Sequence, residues 1–126
     1  MHVLRQIHKA LRSNGLVLDI HPLGNDFAVR AGERGLGFVD TRRFARVLTA
    51  MNEQVHVLVD GGLYEEVRTL RRHVAERFDT AREALEEASE WEHLRIPLPV
   101  RLRLRRSKET PVEFIDTIRY RLLRRV

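Results

Sequence analysis

The chain has 126 residues, a formal net charge of +5 and no cysteine. A single domain over residues 1–126 can bury a substantial core, but this length cannot hold both a complete cofactor-binding domain and a substrate domain. The lack of cysteine excludes disulfides and thiolate metal ligands, so we expect a protein of the reducing cytoplasm. No apolar run approaches the roughly 20 residues that cross a bilayer, and no signal peptide or membrane partner is predicted.

The first half of the chain is punctuated by glycine. Apolar residues at helical spacing predict a helix over 2–13, and Asn14-Gly15 is expected to end it with Gly15 in the left-handed conformation. The run "LVLDI" at 16–20 is typical of a strand covered on both faces. Two extended pieces at 27–31 and 36–39 predict a small hairpin.

The second half is expected to hold two helices and a long strand. Asp40 is the predicted N-cap of an amphipathic helix that ends at Gly61-Gly62. Residues 64–78 fit a strand or a helix, whereas Thr80 and Glu83 form a capping box for a helix that continues through Trp91. Residues 95–111 read as a loop with a possible short helix, leaving strand or helix open for 100–106. The segment 112–123 predicts a strand with one apolar face: Val112, Phe114, Ile118, Tyr120 and Leu122, interrupted by Asp116.

In this order the elements resemble the C-terminal half of class I S-adenosylmethionine-dependent methyltransferases. "LRSNG" stands where that family has an "LRPGG"-like turn before its fifth strand, and "RFDTAREALEE" and "VEFIDTIRYRLL" match its later elements. The resemblance implies an α/β fold with a partial Rossmann-like sheet, whose last strand runs antiparallel between the fifth and sixth. An α+β arrangement also remains open.

The resemblance also implies an incomplete cofactor site. The family holds S-adenosylmethionine mainly through a glycine-rich loop and an acidic residue in the first half of its sheet, and no segment here matches them. The glycine-dense stretch at 31–37 is better explained as a hairpin turn. S-adenosylmethionine is therefore expected only if assembly with another chain completes the site.

The residues around the end of "LVLDI" are the candidates for chemistry. Asp19 and His21 are two residues apart, so they lie on one side of the strand and its exit, where open α/β sheets bind ligands. A carboxylate and an imidazole in this position could act in acid-base catalysis. His21, Asn25 and Asp26 are the candidate cofactor ligands. The simpler interpretation is structural, with Asp19 holding a backbone amide and His21 shaping the loop. The other histidines show no metal-ligand spacing, so no metal site is predicted.

The positive charge is concentrated near the C-terminal end. Residues 100–126 hold nine Arg or Lys against three acidic residues, and 21 of the 23 basic residues are arginine. Arginine suits phosphate contacts, so a nucleic-acid-binding module is one alternative, although no recognition motif is present and Tyr120 falls on the apolar face. Its candidate contacts are Arg101, Arg103, Arg105, Arg106, Arg119 and Arg121.

The apolar strand suggests an interface. An uncovered "LVLDI" edge would invite pairing, so Leu16, Val17, Leu18 and Ile20 are the predicted contacts of a homodimer or of a partner protein. We therefore expect a methyltransferase-like protein that acts as a non-catalytic interaction or regulatory module. The alternatives are a methyltransferase subunit completed by assembly and the basic nucleic-acid-binding module.

Overall fold

The computed structural model describes residues 2–126, apart from the side chain of His2. These residues form a mixed α/β domain with four helices and one five-stranded sheet. No helix in the described residues is both long and apolar enough to cross a membrane. The elements in chain order are α1 (His2–Ala10), β1 (Leu16–Pro22), β2 (Ala28–Ala31), β3 (Arg34–Phe38), α2 (Arg42–Asp60), β4 (Tyr64–Phe78), α3 (Ala81–Ser89), α4 (Leu98–Arg106) and β5 (Val112–Arg125).

Strand β5 is the centre of the sheet. One edge of β5 pairs with β4 along its whole length, from Tyr64 opposite Arg125 to Phe78 opposite Val112. The other edge is shared, because β1 pairs with the C-terminal half of β5 and β2 pairs with the N-terminal half. β3 extends the sheet beyond β2. All these pairs are antiparallel, so β1 and β4 run in the same direction on either side of β5.

Helices cover opposite faces of the two halves of β5. α3 and α4 pack on the face that carries Val112 and Phe114, in a cluster completed by Val29, Ala31, Leu36, Val39, Ala84, Ile96, Val100 and Leu104. Because side chains alternate along a strand, Leu123 lies on the other face. There it joins a second cluster with Leu4, Val55, Leu58 and Tyr64, which α1 and α2 contribute to.

The structure resolves the two ambiguous segments. Residues 64–78 are strand β4, which pairs with β5 through every residue except Val67, where the register shifts, and the residues from 98 to 106 are helix α4. The predicted capping box at α3 is present, since the Thr80 hydroxyl accepts a hydrogen bond from the Glu83 amide at 3.2 Å. The predicted hairpin, the long helix and the terminal strand also form, with small shifts of their ends.

Three local expectations are wrong. Asn14 rather than Gly15 adopts the left-handed conformation, with φ of 64°, because asparagine tolerates that region and the turn needs it one residue earlier. Gly15 is required for space instead, since a Cβ there would lie 2.8 Å from the Arg12 carbonyl oxygen. Thr41, not Asp40, is the N-cap of α2. α3 ends at Ser89, which leaves Trp91 beyond the helix.

Candidate functional site

The predicted pair Asp19 and His21 lies on β1, on the face covered by α2, and it is joined by Arg119. The His21 ring is buried, with Nδ1 3.2 Å from Asp19 Oδ1 and Nε2 2.7 Å from Arg119 Nη2. A guanidinium can only donate hydrogen bonds, so Nε2 is the acceptor and Nδ1 carries the proton that is donated to Asp19. Both ring nitrogens are therefore engaged by protein groups, and His21 has no free nitrogen to exchange a proton with a substrate.

Asn52, on the helix α2 that packs on this face of the sheet, also belongs to this hydrogen-bond network. Its Oδ1 accepts hydrogen bonds from Arg119 at 2.7 Å and from Arg121 at 2.5 Å. Arg121 is only 2% exposed, and its Nε lies 3.5 Å from Glu66 Oε1. Burial, together with the charge of Arg121, lowers the pKa of Arg119. The guanidiniums of buried Arg121 and half-buried Arg119 thus converge on one amide oxygen. We call Asp19, His21, Asn52, Arg119 and Arg121 the polar cluster.

Asn52 was missed from the sequence, although a signal for it exists. It lies four residues after Leu48 and three before Val55, in the middle of the apolar stripe that α2 buries. A polar side chain on such a stripe needs a buried hydrogen-bond partner. Here the partners are the two arginines of β5, which lie 67 and 69 residues further along the chain.

A second polar group forms where β5 changes partner from β2 to β1. The Thr117 hydroxyl donates to Asp26 Oδ2 at 2.8 Å and lies 3.2 Å from His73 Nδ1, so His73 is the donor in that contact. Burial raises the pKa of the neighbouring Asp116, and the charge of Asp26 adds to the effect. Asp26 and His21, both candidate cofactor ligands, are not joined by a hydrogen bond, and Asn25 is exposed.

These side chains do not assemble a metal centre. Within residues 2–126 no group of three or more His, Asp or Glu side chains could hold a metal ion. One carboxylate oxygen in each polar group, Asp19 Oδ2 in the first and Asp26 Oδ1 in the second, is buried without a hydrogen-bond partner.

The opposite face of β1 is uncovered. Leu16, Leu18 and Ile20 are 54%, 55% and 52% exposed. By the register of the strands they share this face with Tyr120 and Leu122 of β5 and with Leu70 of β4, which are half-buried. We call these six residues the open face.

The open face contradicts the predicted coverage of β1 on both faces, and only three of the four predicted interface residues belong to it. "LVLDI" was expected to be covered on both faces, but α1 and α2 cover only the side of Val17, which packs on the Leu123 cluster. Of the four predicted interface residues, Leu16, Leu18 and Ile20 are therefore exposed and Val17 is not. In the described residues β1 pairs only with β5, so its second edge is also free.

The arginines proposed for nucleic acid do not form one surface. Arg119 and Arg121 lie under α2 with Asn52, whereas the other four belong to α4, on the opposite face of the sheet. Arg103 donates to the Leu36 carbonyl at 2.8 Å, and Arg105 and Arg106 are exposed.

Comparison with known proteins gives no match that could assign a role to the polar cluster or to the open face. No protein-family model matches the chain, and neither a curated protein nor a solved structure matches it.

Proposed function

We propose that the chain is a non-catalytic interaction module that assembles with a second copy of itself through the open face. The observation that carries this proposal is the half-exposure of Leu16, Leu18 and Ile20 on a strand whose other face is covered by helices. Fully burying a Leu or Ile side chain is worth about 1.5–3 kcal/mol, so covering the exposed half of each contributes about 1 kcal/mol. Three such residues from each of two copies together contribute about 6 kcal/mol to the free energy of dimerisation.

The surroundings of the open face suit a symmetric contact. A two-fold axis brings the same patch of both copies together, and two sheets can pack face to face about 10 Å apart. The β4 side of the patch carries charges of both signs, with Arg124 Nη1 3.3 Å from Glu65 Oε2 and with Arg68 nearby on the same face. This rim therefore does not present charge of a single sign to an approaching copy.

The polar cluster supports a non-catalytic role. Its only imidazole on β1, that of His21, is buried and hydrogen-bonded at both nitrogens. Catalysis there would first require breaking the contact with Arg119. The cluster instead fixes α2 to the sheet, which holds the other face of β1 in place.

Light scattering after size-exclusion chromatography tests the proposal. We expect the purified chain to be a dimer at micromolar concentration and Leu18→Asp to be a monomer, because a carboxylate in the centre of the contact would be desolvated. Val57→Asp is the matched control, since Val57 is 61% exposed on α2 and outside the open face. A wild-type monomer would contradict the homodimer and leave a different partner chain as the occupant. A dimer that Leu18→Asp leaves intact would contradict the open face as its contact.

The strand order supports a second candidate, a methyltransferase subunit completed by assembly. β5 lies antiparallel between β1 and β4, as the resemblance implies for the last three strands of the family. Asp19 Oδ2 and Asp26 Oδ1 are acceptors without donors near the end of β1. Calorimetric titration with S-adenosylmethionine and its demethylated product, on the assembled protein, tests this candidate. Saturable heat would favour it, and no heat would exclude a completed site in that assembly.

A further inference from the structure

We propose that a cleft between the N-terminal end of α2 and the segment after α3 binds an organic phosphate whose planar ring lies against Trp91. The cleft has a volume of about 530 Å³, within the range of small-molecule sites. It does not include the open face or the polar cluster, so the proposal is independent of the proposed function.

Arginine dominates the walls of the cleft. Arg42, Arg43 and Arg46 come from α2, and Arg95 comes from the facing segment, together with His93. Two acidic residues, Asp40 and Glu92, line the same space. The lining therefore keeps a net positive charge, in a geometry that can present more than one guanidinium to a phosphate.

The two walls are held in place before any ligand arrives. The Asp40 amide donates to the Arg95 carbonyl at 2.7 Å, and the Arg95 amide donates back at 3.3 Å. The Asp40 carboxylate also contacts both walls, with Oδ2 2.8 Å from Arg42 Nη2 and 3.7 Å from Arg95 Nε. Hydrogen bonds from Arg42 lower the pKa of Asp40 to about 2, so this carboxylate is charged at neutral pH.

Arg43 and Arg46 are the cations left for a ligand. No carboxylate in the described residues lies within ion-pair distance of either side chain, whereas Arg42 and Arg95 both contact Asp40. The first turn of α2 contains no acidic residue, and arginine in that turn adds positive charge to the positive end of the helix. A phosphate placed among these arginines reduces their mutual repulsion.

Trp91 supplies an aromatic wall. Its ring centroid is 5.7 Å from that of Phe27 and 5.1 Å from that of Phe114, and these contacts fix its orientation. Its remaining surface lines the cleft beside the arginines. Stacking of a base on an aromatic side chain is worth about 1–3 kcal/mol. A phosphate joined to a planar ring therefore fits the cleft better than inorganic phosphate alone.

Tryptophan fluorescence provides the test, because Trp91 is the only tryptophan of the chain. The probes are AMP, adenosine and inorganic phosphate, at constant ionic strength and with excitation where adenine does not absorb. We expect saturable quenching by AMP, weaker binding of phosphate and the weakest binding of adenosine. Loss of charge-assisted hydrogen bonds in Arg43→Ala/Arg46→Ala should weaken AMP binding by about tenfold or more.

Arg105→Ala is the matched control, since Arg105 is an exposed arginine of α4 that does not line this cleft. It should bind AMP as the wild type does. The absence of saturable quenching at millimolar AMP would overturn the proposal, and so would equal weakening in the control and the double variant. Equal affinity for AMP and inorganic phosphate would overturn the assignment of the ring to Trp91.

Discussion

The two halves of β5 are stabilised in different ways. Around Phe114 the strand packs under α3 and α4 against three other aromatic rings, of Phe27, Phe78 and Trp91, with centroids 5.1–6.3 Å away. Around Arg121 the strand makes polar contacts with Asn52 and Glu66 next to the apolar Leu123 cluster. The opposite side of the sheet there is the open face. The first half buries its apolar side chains within one chain, whereas the second half leaves the apolar side chains of the open face exposed. The aromatic core and the proposed assembly surface therefore lie at opposite ends of one strand.

Phe114→Ala should give the largest loss of stability. Phe114 is 1% exposed, and its removal leaves a cavity among the aromatic rings, which costs about 3–5 kcal/mol. Urea denaturation followed by Trp91 fluorescence measures the change at a fixed protein concentration. Leu123→Ala is the counterpart in the other half and should cost less, about 2–3 kcal/mol. A larger effect at Leu123 would reverse the comparison between the two halves.

Asn52→Leu should destabilise the second half by about 2–3 kcal/mol, because the guanidiniums of Arg119 and Arg121 lose their common acceptor. Asn52→Asp keeps an acceptor and adds a negative charge between the arginines, so it should be at least as stable as the wild type. Thermal and urea unfolding of both variants checks this contrast. If Asn52→Leu were neutral, the polar cluster would not hold α2 to the sheet.

Thr80→Ala should cost about 1 kcal/mol, since the Glu83 amide loses its cap at the start of α3. Thr80→Ser retains the hydroxyl and should lose much less. The same urea experiment measures both. An equal loss in the two variants would mean that the methyl group of Thr80, rather than its hydroxyl, stabilises this end of the helix.

Asp116→Asn should have the smallest effect, and its sign depends on pH. Burial raises the pKa of Asp116 above 3.8, so the folded state binds more protons than the unfolded state just above that pH. The contribution of this carboxyl to the free energy of unfolding therefore decreases as pH rises through the folded pKa. We expect Asp116→Asn to be more stable than the wild type at neutral pH and to lose that advantage in acid. An advantage independent of pH would contradict this origin.

Most helices and strands could be predicted from the sequence, because the spacing of apolar residues and the glycine and threonine residues at helix ends depend only on nearby positions in the chain. The coverage of β5 could not. Alternation separates the two faces of a strand, but it does not say which face a distant helix covers. Phe114 and Tyr120 were correctly placed on one face, yet α3 and α4 cover only the part around Phe114. The position of Asn52 beside Arg119 and Arg121 likewise depends on contacts across 67 and 69 residues.

The central position of β5 has a consequence for the order of synthesis. β1, β2 and β4 all pair with β5, and β5 follows them in the chain. Before β5 is synthesised, β2 and β3 can already pair with each other, because they are neighbours in the chain. The sheet as a whole can form only after translation has passed residue 125, where β5 ends, and contacts so distant in sequence fold slowly. Until then β1 and β4 lack the strand that satisfies their backbone N–H and C=O groups in the folded sheet.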